Sequence, residues 1–557
     1  LSHFPAAMIH KWLPAEPARC GLAVAAGLML ALSFPHWNLA GLAWGAPGLM
    51  LASAMGTNGR QAFWLGWIAG LSNWLLGIYW LLLIPVKFAP IVGWLLLCSF
   101  LSLYSGAWVW LAWKTYPQRR TTSLALRESP SWFMTTTFAQ RVVWAFGCAA
   151  FWVAAEMIQG RFLSGFPWNL LGTSQYQVIP LLQIASFTGV YGVSFLVAWF
   201  SIALLCAAMA MVQMPVQRWR TLREIALPAA ALAIASAYGY SALRQSNEPP
   251  AKLKIALVQP SIPQTNIWDS ASDPMRFQQL LKLSDLALAE DPDVLVWPEA
   301  AVPSQFRWDT NLYNGLTAYH TITQLARKHQ VWLLFGADDA EPTDEKVNYY
   351  NSAFAVSPEG KIIGTYRKRQ LVMFGEYVPL SRYLPFLKDF TQVYGEFTPG
   401  TAPIPFNLET LHVRTSVLIC FEDLFPHLGR EYVNTNMDFL LNLTNNGWFG
   451  ESAAQWQHAV GSIFRAIENG LPLVRCANNG LSCWVDPHGR MHEVYFPDGS
   501  KNIYRAGYKI AFVPILTNPT RSLTFYTKCG DVFGWACVAF SAVFPLSRLV
   551  MVLAKKP

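Results

Sequence analysis

"SVLICFED", residues 416–423, is the stretch on which the reading of the chain turns. An apolar run with the look of a buried strand ends in Cys420, and Glu422 and Asp423 follow at once. Taken alone, the thiol fits four descriptions: packing material, half of a disulfide, a metal ligand or a nucleophile, with packing the simplest.

The surrounding sequence changes that balance. From Lys252 onward, short β-rich runs recur: "LKIALVQP", "VLVWPEA", "VWLLFGADD", "KIIGTYRK", "DFLLNLTNNGWFG" and "PLVRCANNGLSCWVDPHGR", with helix-like segments at 276–290 and 453–469. This alternation predicts an α/β domain, with "SPEGKI" and "DPHGR" as hairpin turns whose Gly supplies a positive φ. Chemistry in such domains sits at strand ends. Glu299 closes one strand-like run, Lys368 follows a second and Cys420 closes a third. A thiol near its ordinary pKa is mostly protonated at pH 7, so a carboxylate that takes its proton and an ammonium that favours developing negative charge make a chemically complete set with it. Glu376, in "FGEYVP", lies eight residues beyond Lys368 and reads equally well as a salt-bridge partner or a catalytic group.

Composition places this domain on a membrane. The 557 residues are 53% hydrophobic and 13% charged, with 25 Trp. The first 250 residues carry 14 Lys+Arg against 5 Asp+Glu, so the basic excess coincides with the apolar part and points to membrane orientation, not to nucleic acid. Apolar spans fall near 19–35, 38–55, 62–86, 90–113, 142–160, 186–213 and 224–243, with one more near 531–553; the first two are short or broken by Pro35 and Pro47. The predicted organisation is a transmembrane region over 1–245 of about seven helices, a polar domain over 250–525, and a C-terminal transmembrane helix over 531–553. Seven spans put Lys11, Arg19, Arg60, Lys114, Arg119, Arg120, Arg127, Arg141, Arg218, Arg220 and Arg223 on one side, with only Lys87 and Arg161 opposite. By the positive-inside rule the polar domain lies outside the cytoplasm. A signal peptide cut after "ALS" is the alternative reading of the first span.

"WPEA", "YRKRQLVMFGEYVPL", "CFED" and "NLTNNGWFG", in this order, resemble the carbon-nitrogen hydrolase (nitrilase) superfamily. The flanking apolar spans make the chain similar, within it, to the bacterial apolipoprotein N-acyltransferase family. The resemblance implies an αββα sandwich in the periplasm, mounted on a multi-pass helical bundle in the inner membrane, and a Glu-Lys-Cys triad. It implies Cys420 as nucleophile, Glu299 as base and acid, and Lys368 with the backbone N–H of Phe421 as oxyanion donors. Glu376 would be an auxiliary carboxylate, and Glu422 and Trp448 would contact substrate. The implied substrates are a phospholipid acyl donor and a diacylglyceryl-modified apolipoprotein, with membrane lipids as surroundings and neither metal nor organic cofactor. Phe421 stands where the family leads one to expect Tyr, Met373 where Pro is common, and Asn446-Gly447 where an acidic-small pair is common.

Four further expectations follow from the residues. Cys476 and Cys483 have a spacing that suits a hairpin disulfide in an oxidising compartment. The aromatic stretch 382–397 reads equally as a lid or as a packed surface loop. Glu156 and Arg161, in or beside a span, favour a local ion pair over a lipid headgroup. Keeping an acyl chain in lipid throughout the cycle avoids a cost of about 8 kcal/mol for ten methylenes, so a lipid-acting thiol belongs near the bilayer. The rival readings are a membrane-anchored amidase using the same triad, and a non-catalytic lipid receptor or transporter.

Overall fold

The computed structural model describes residues 16–117, 136–213, 221–244, 251–306, 313–344, 346–379, 381, 383, 396–515 and 522–553. The stretch 382–397 falls almost wholly outside the described residues. The chain forms two compact units: Leu1–Tyr79 with Val92–Ala242 and Asp531–Pro557, and Trp80–Ile91 with Leu243–Gly530.

The first unit is helical: α1 (Glu16–Leu32), α2 (Ala46–Ser53), α3 (Gly59–Gly77), α4 (Ala89–Thr115), α5 (Phe138–Gln159), α6 (Val190–Gln213), α7 (Arg223–Arg244) and the C-terminal helix, α11 (Val532–Leu553). Of these, α4 to α7 are long and apolar enough to cross a membrane. The span read at 38–55 is a 3-10 turn, Ala40–Trp44, followed by the eight-residue α2, which at 1.5 Å per residue reaches only about 12 Å. Two starts carry local signals. Asn58 with Gln61 and Thr137 with Gln140 form reciprocal capping boxes that satisfy otherwise orphaned N–H groups of α3 and α5. Close approach of α1 to α3 depends on Gly27, where a Cβ would meet the Ala69 carbonyl oxygen at 2.0 Å.

Two ion pairs link distant segments of this unit. Arg141 of α5 binds Glu224 of α7, both buried. The expected pairing of Glu156 with Arg161 does not form. Arg161 binds Asp531 and stacks over Trp535 of α11, whereas the Glu156 carboxylate accepts from Trp152 Nε1 and from Leu171 N. The physical reason is that Leu171 opens a helical turn whose N–H needs an acceptor, and Glu156 reaches it.

The second unit contains two sheets. One runs β13 (Gly507–Ile515), β1 (Ala251–Gln259), β2 (Val294–Val296), β4 (Trp332–Pro342), β5 (Val347–Val356), β6 (Ile362–Arg367), with β3 (Val302–Gln305) also paired to β4. The other runs β12 (Met491–His492), β11 (Cys483–Val485), β10 (Leu473–Ala477), β9 (Phe439–Thr444), β8 (Val413–Ile419), β7 (Pro405–Leu408). In each, the central strands are parallel and the flanking ones antiparallel. The parallel strands are the uninterrupted apolar runs, because both of their faces are covered. Helices α8 (Asp273–Leu288) and α9 (Tyr313–His329) pack on the first sheet and α10 (Ala454–Asn469) on the second. The sheets meet face to face, with Cys476 Sγ of β10 donating toward the Val258 and Val296 carbonyls of β1 and β2. The layers therefore run helix, sheet, sheet, helix. The two hairpin turns place Gly360 and Gly489 at positive φ, as their sequences predict.

Trp80, fully buried, belongs to this second unit although it sits between α3 and α4 in sequence. Its indole donates to Gln457 Oε1 at 3.0 Å and packs edge-on against Phe449, 4.5 Å between centroids.

Cys476 and Cys483 are both free. In the β10–β11 register Cys483 stands opposite Arg475, so Cys476 projects from the other face and the two thiols cannot meet. Loss of a genuine bridge typically costs about 2 to 5 kcal/mol. Dithiothreitol is accordingly expected to leave the melting temperature of the purified protein unchanged; a drop of several degrees would show that the thiols pair.

Candidate active site

Three strand ends and one turn converge. Glu299 lies in the turn between β2 and β3, a turn that crosses Gly336 of β4 so closely that a Cβ there would meet Glu299 Cα at 2.6 Å. Lys368 directly follows β6. Glu376 sits in a tight turn, where its Oε2 accepts from Val372 N at 2.8 Å. Cys420 ends β8 and opens a 3-10 turn, Cys420–Leu424, with φ at +55°, a left-handed conformation that a non-glycine residue adopts only where its surroundings enforce it.

Lys368, 1% exposed, donates to Glu376 Oε1 at 2.8 Å and to Glu299 Oε1 at 3.3 Å. Asn351 of β5 ties the two carboxylates together, its Nδ2 donating to Glu299 Oε1 and to Glu376 Oε1, each at 2.8 Å. Glu299 Oε2 accepts from Asn445 N at 2.8 Å, which anchors the "NNGWFG" loop to the site. Burial by itself lowers the pKa of Lys368, but the carboxylates of Glu376 and Glu299 outweigh it and hold the ammonium well above its ordinary range. The Cys420 thiol moves up, chiefly through burial and then through Glu299, with Lys368 and a hydrogen bond with Thr444 opposing. Burial thus favours the protonated thiol over the thiolate, and a sulfur in such a setting needs a base to act as a nucleophile.

Phe421 leaves its ring beside Lys368, with Nζ 5.5 Å from the centroid, so a cation–π contact occupies the place of the expected phenol. Its N–H lies in the first turn of a helix, where donors precede any intrahelical acceptor. Trp448 is half-buried and packs edge-on against Trp268, 5.1 Å between centroids. Glu422 is not brought to an open face. Fully buried, its carboxylate accepts from the N–H groups of Ile419, Arg369 and Gln370 and from the Tyr366 hydroxyl, so it fastens the Cys420 turn to the end of β6.

Sequence reasoning passed over Asn351, and it took Thr444 and Asn445 only as part of "NLTNNGWFG", with no place of their own in the site. Asn351 stands inside "YYNSAF", a stretch that otherwise reads as plain strand, and a polar residue between buried neighbours is the one signal that marks it.

This geometry suits acyl transfer through sulfur: a thiol, a carboxylate to move its proton and a buried cation. The arrangement, carried by two sheets back to back, defines the carbon-nitrogen hydrolase class, and the carbon-nitrogen hydrolase family model matches residues 254–504. A second family model, the apolipoprotein N-acyltransferase N-terminal domain, matches residues 26–203. An apolipoprotein N-acyltransferase of Geobacter metallireducens is 34% identical over 537 residues, covering 94% of this chain and 94% of the relative. Those of Azotobacter vinelandii and Caulobacter vibrioides are 32% and 29% identical, covering 87% and 94% of this chain and 88% and 93% of theirs. Among solved structures, an amidase from Nesterenkonia AN1 of the nitrilase superfamily is 20% identical, covering 48% of this chain and 94% of its own with a TM-score of 0.33. The chain belongs to the apolipoprotein N-acyltransferase family, and it is a membrane protein.

Proposed function

We propose that this protein transfers an acyl chain from a phospholipid to the α-amino group of the diacylglyceryl-cysteine at the N-terminus of an apolipoprotein. The observation that carries this reading is the cluster of Glu299, Lys368, Asn351 and Glu376 beside Cys420 in a chain whose other unit is built of apolar helices. Glu299 takes the thiol proton as Cys420 Sγ attacks the ester carbonyl. Lys368 and the Phe421 N–H face the oxyanion. Collapse expels the lyso-phospholipid alkoxide, which recovers the proton from Glu299 and leaves a thioester on Cys420. The acceptor amine then attacks the thioester, its proton passes through Glu299 back to sulfur, and the amide product departs. Glu376 and Asn351 hold Lys368 and Glu299 in place, and Trp448 lies on the substrate side. The second unit works in the periplasm and the helices lie in the bacterial inner membrane, an orientation supported by the basic residues of the early loops.

The test is to supply the purified full-length protein with phospholipid and a diacylglyceryl-cysteinyl peptide, and to follow peptide mass. The expected product is the N-acylated peptide together with lyso-phospholipid. Release of free fatty acid with an unmodified peptide would identify an amidase-like hydrolase instead.

A further inference from the structure

Behind the nucleophile lies a buried polar group that the proposed chemistry does not use. The carbonyl oxygen of Cys420 accepts from Asn442 Nδ2 of β9 at 2.8 Å, and His458 Nε2 of α10 lies 3.2 Å from it. His458 Nε2 is also 2.9 Å from Asp423 Oδ1. Both neighbours of Nε2 are acceptors, so that nitrogen carries a proton. The orientation is over-determined. Asp423 Oδ2 accepts from Arg475 at 2.6 Å and from Ser462 Oγ at 2.7 Å, Arg475 also donates to Asn442 Oδ1 at 2.9 Å, and His458 Nδ1 lies 2.9 Å from Asn446 Oδ1 in the "NNGWFG" loop. Asn442, His458, Asp423 and Arg475 are all essentially inaccessible to solvent.

What this grip accomplishes follows from peptide geometry. The carbonyl of Cys420 and the N–H of Phe421 belong to one planar trans unit and point in opposite directions. Fixing the oxygen from a strand and a helix therefore fixes the direction of the N–H, and the left-handed φ of Cys420 is the conformation in which that peptide is held. Rotating the unit would swing donor and acceptor together.

We propose that Asn442 and His458 are positioning residues that aim the Phe421 N–H at the developing oxyanion by gripping the carbonyl of the same peptide unit. This rests on the acyl-transfer reading given above. It assigns work to two residues that never touch substrate, and it links the substrate-side loop, through Asn446, to the oxyanion donor.

The experiment compares two reactions of Cys420 in the full-length protein in detergent micelles. Thioester formation with phospholipid passes through a tetrahedral oxyanion; alkylation by iodoacetamide, followed at Cys420 by peptide mapping, does not. Asn442→Ala and His458→Ala are expected to slow thioester formation by about 10- to 100-fold, the scale of a misplacement near 1 Å, while KM for phospholipid and the alkylation rate stay within about twofold of wild type. His458→Gln, which returns an N–H near the position of Nε2, is expected to recover most of the loss. Undiminished thioester formation in both alanine variants would overturn the proposal, and so would a parallel fall in alkylation, which marks general support of the thiol. Should Asn442→Ala fail to fold, the His458 alanine and glutamine variants decide alone. Absence of any adduct on the wild type would strike the acyl-transfer reading itself.

Discussion

Cys420→Ala is expected to form no acyl-enzyme on exposure to phospholipid and to yield no N-acylated peptide. Among the described residues, Cys98, Cys148, Cys206, Cys476, Cys483 and Cys537 are buried, and Cys20 and Cys529 are exposed. Cys420 alone stands in electrostatic reach of Glu299, Lys368 and Glu376 together. Its thiol is pushed up by burial, so the proposed attack relies on proton transfer and not on a resting thiolate. Intact-mass measurement followed by peptide mapping checks this. An acyl adduct that persists in Cys420→Ala, on Cys20 or Cys529, would remove Cys420 from the mechanism.

Lys368→Met is expected to lower the rate of thioester formation by about 10³-fold, in line with about 3 to 4 kcal/mol for one oxyanion donor. The effect has two parts. The ammonium proposed to face the oxyanion is lost, and Glu299 and Glu376, both bonded to Asn351 Nδ2, are left close together without their shared cation. Their mutual repulsion then displaces Glu299 from its place in the cluster. Single-turnover kinetics of Lys368→Arg beside Lys368→Met, the first keeping a cation at the position, separates these parts. Near-normal acylation by a folded Lys368→Met protein would refute the assignment of Lys368.

Much of this was legible from residue order. Buried parallel strands advertise themselves as apolar runs, and the groups at their ends, Glu299, Lys368 and Cys420, stand out because nothing in a core requires them there. What stayed hidden depends on which face a residue occupies or what it meets across the sheets. Cys483 lies seven positions after Cys476, a spacing that fits a hairpin, yet a one-residue offset in register sends the thiols to opposite faces. The family resemblance makes Glu422 a substrate contact, but three N–H groups, two of them distant in sequence, claim its carboxylate. Asn351, Asn442 and His458 are ordinary letters in strand and helix; only the assembled layers reveal that each bonds to groups 22 to 52 positions away. Arg161 likewise finds Asp531, 370 residues on, where sequence proximity favoured Glu156.

The place of Trp80 sets the terms on which the protein can be taken apart. A recombinant fragment cut at the obvious border near residue 250 would discard a fully buried indole, opening a hole beside Phe449 and stripping Gln457 of its donor, on the very helix that carries His458. The two-sheet unit is thus not a removable cassette: a piece encoded some 170 codons upstream, in the linker between two apolar helices, completes it.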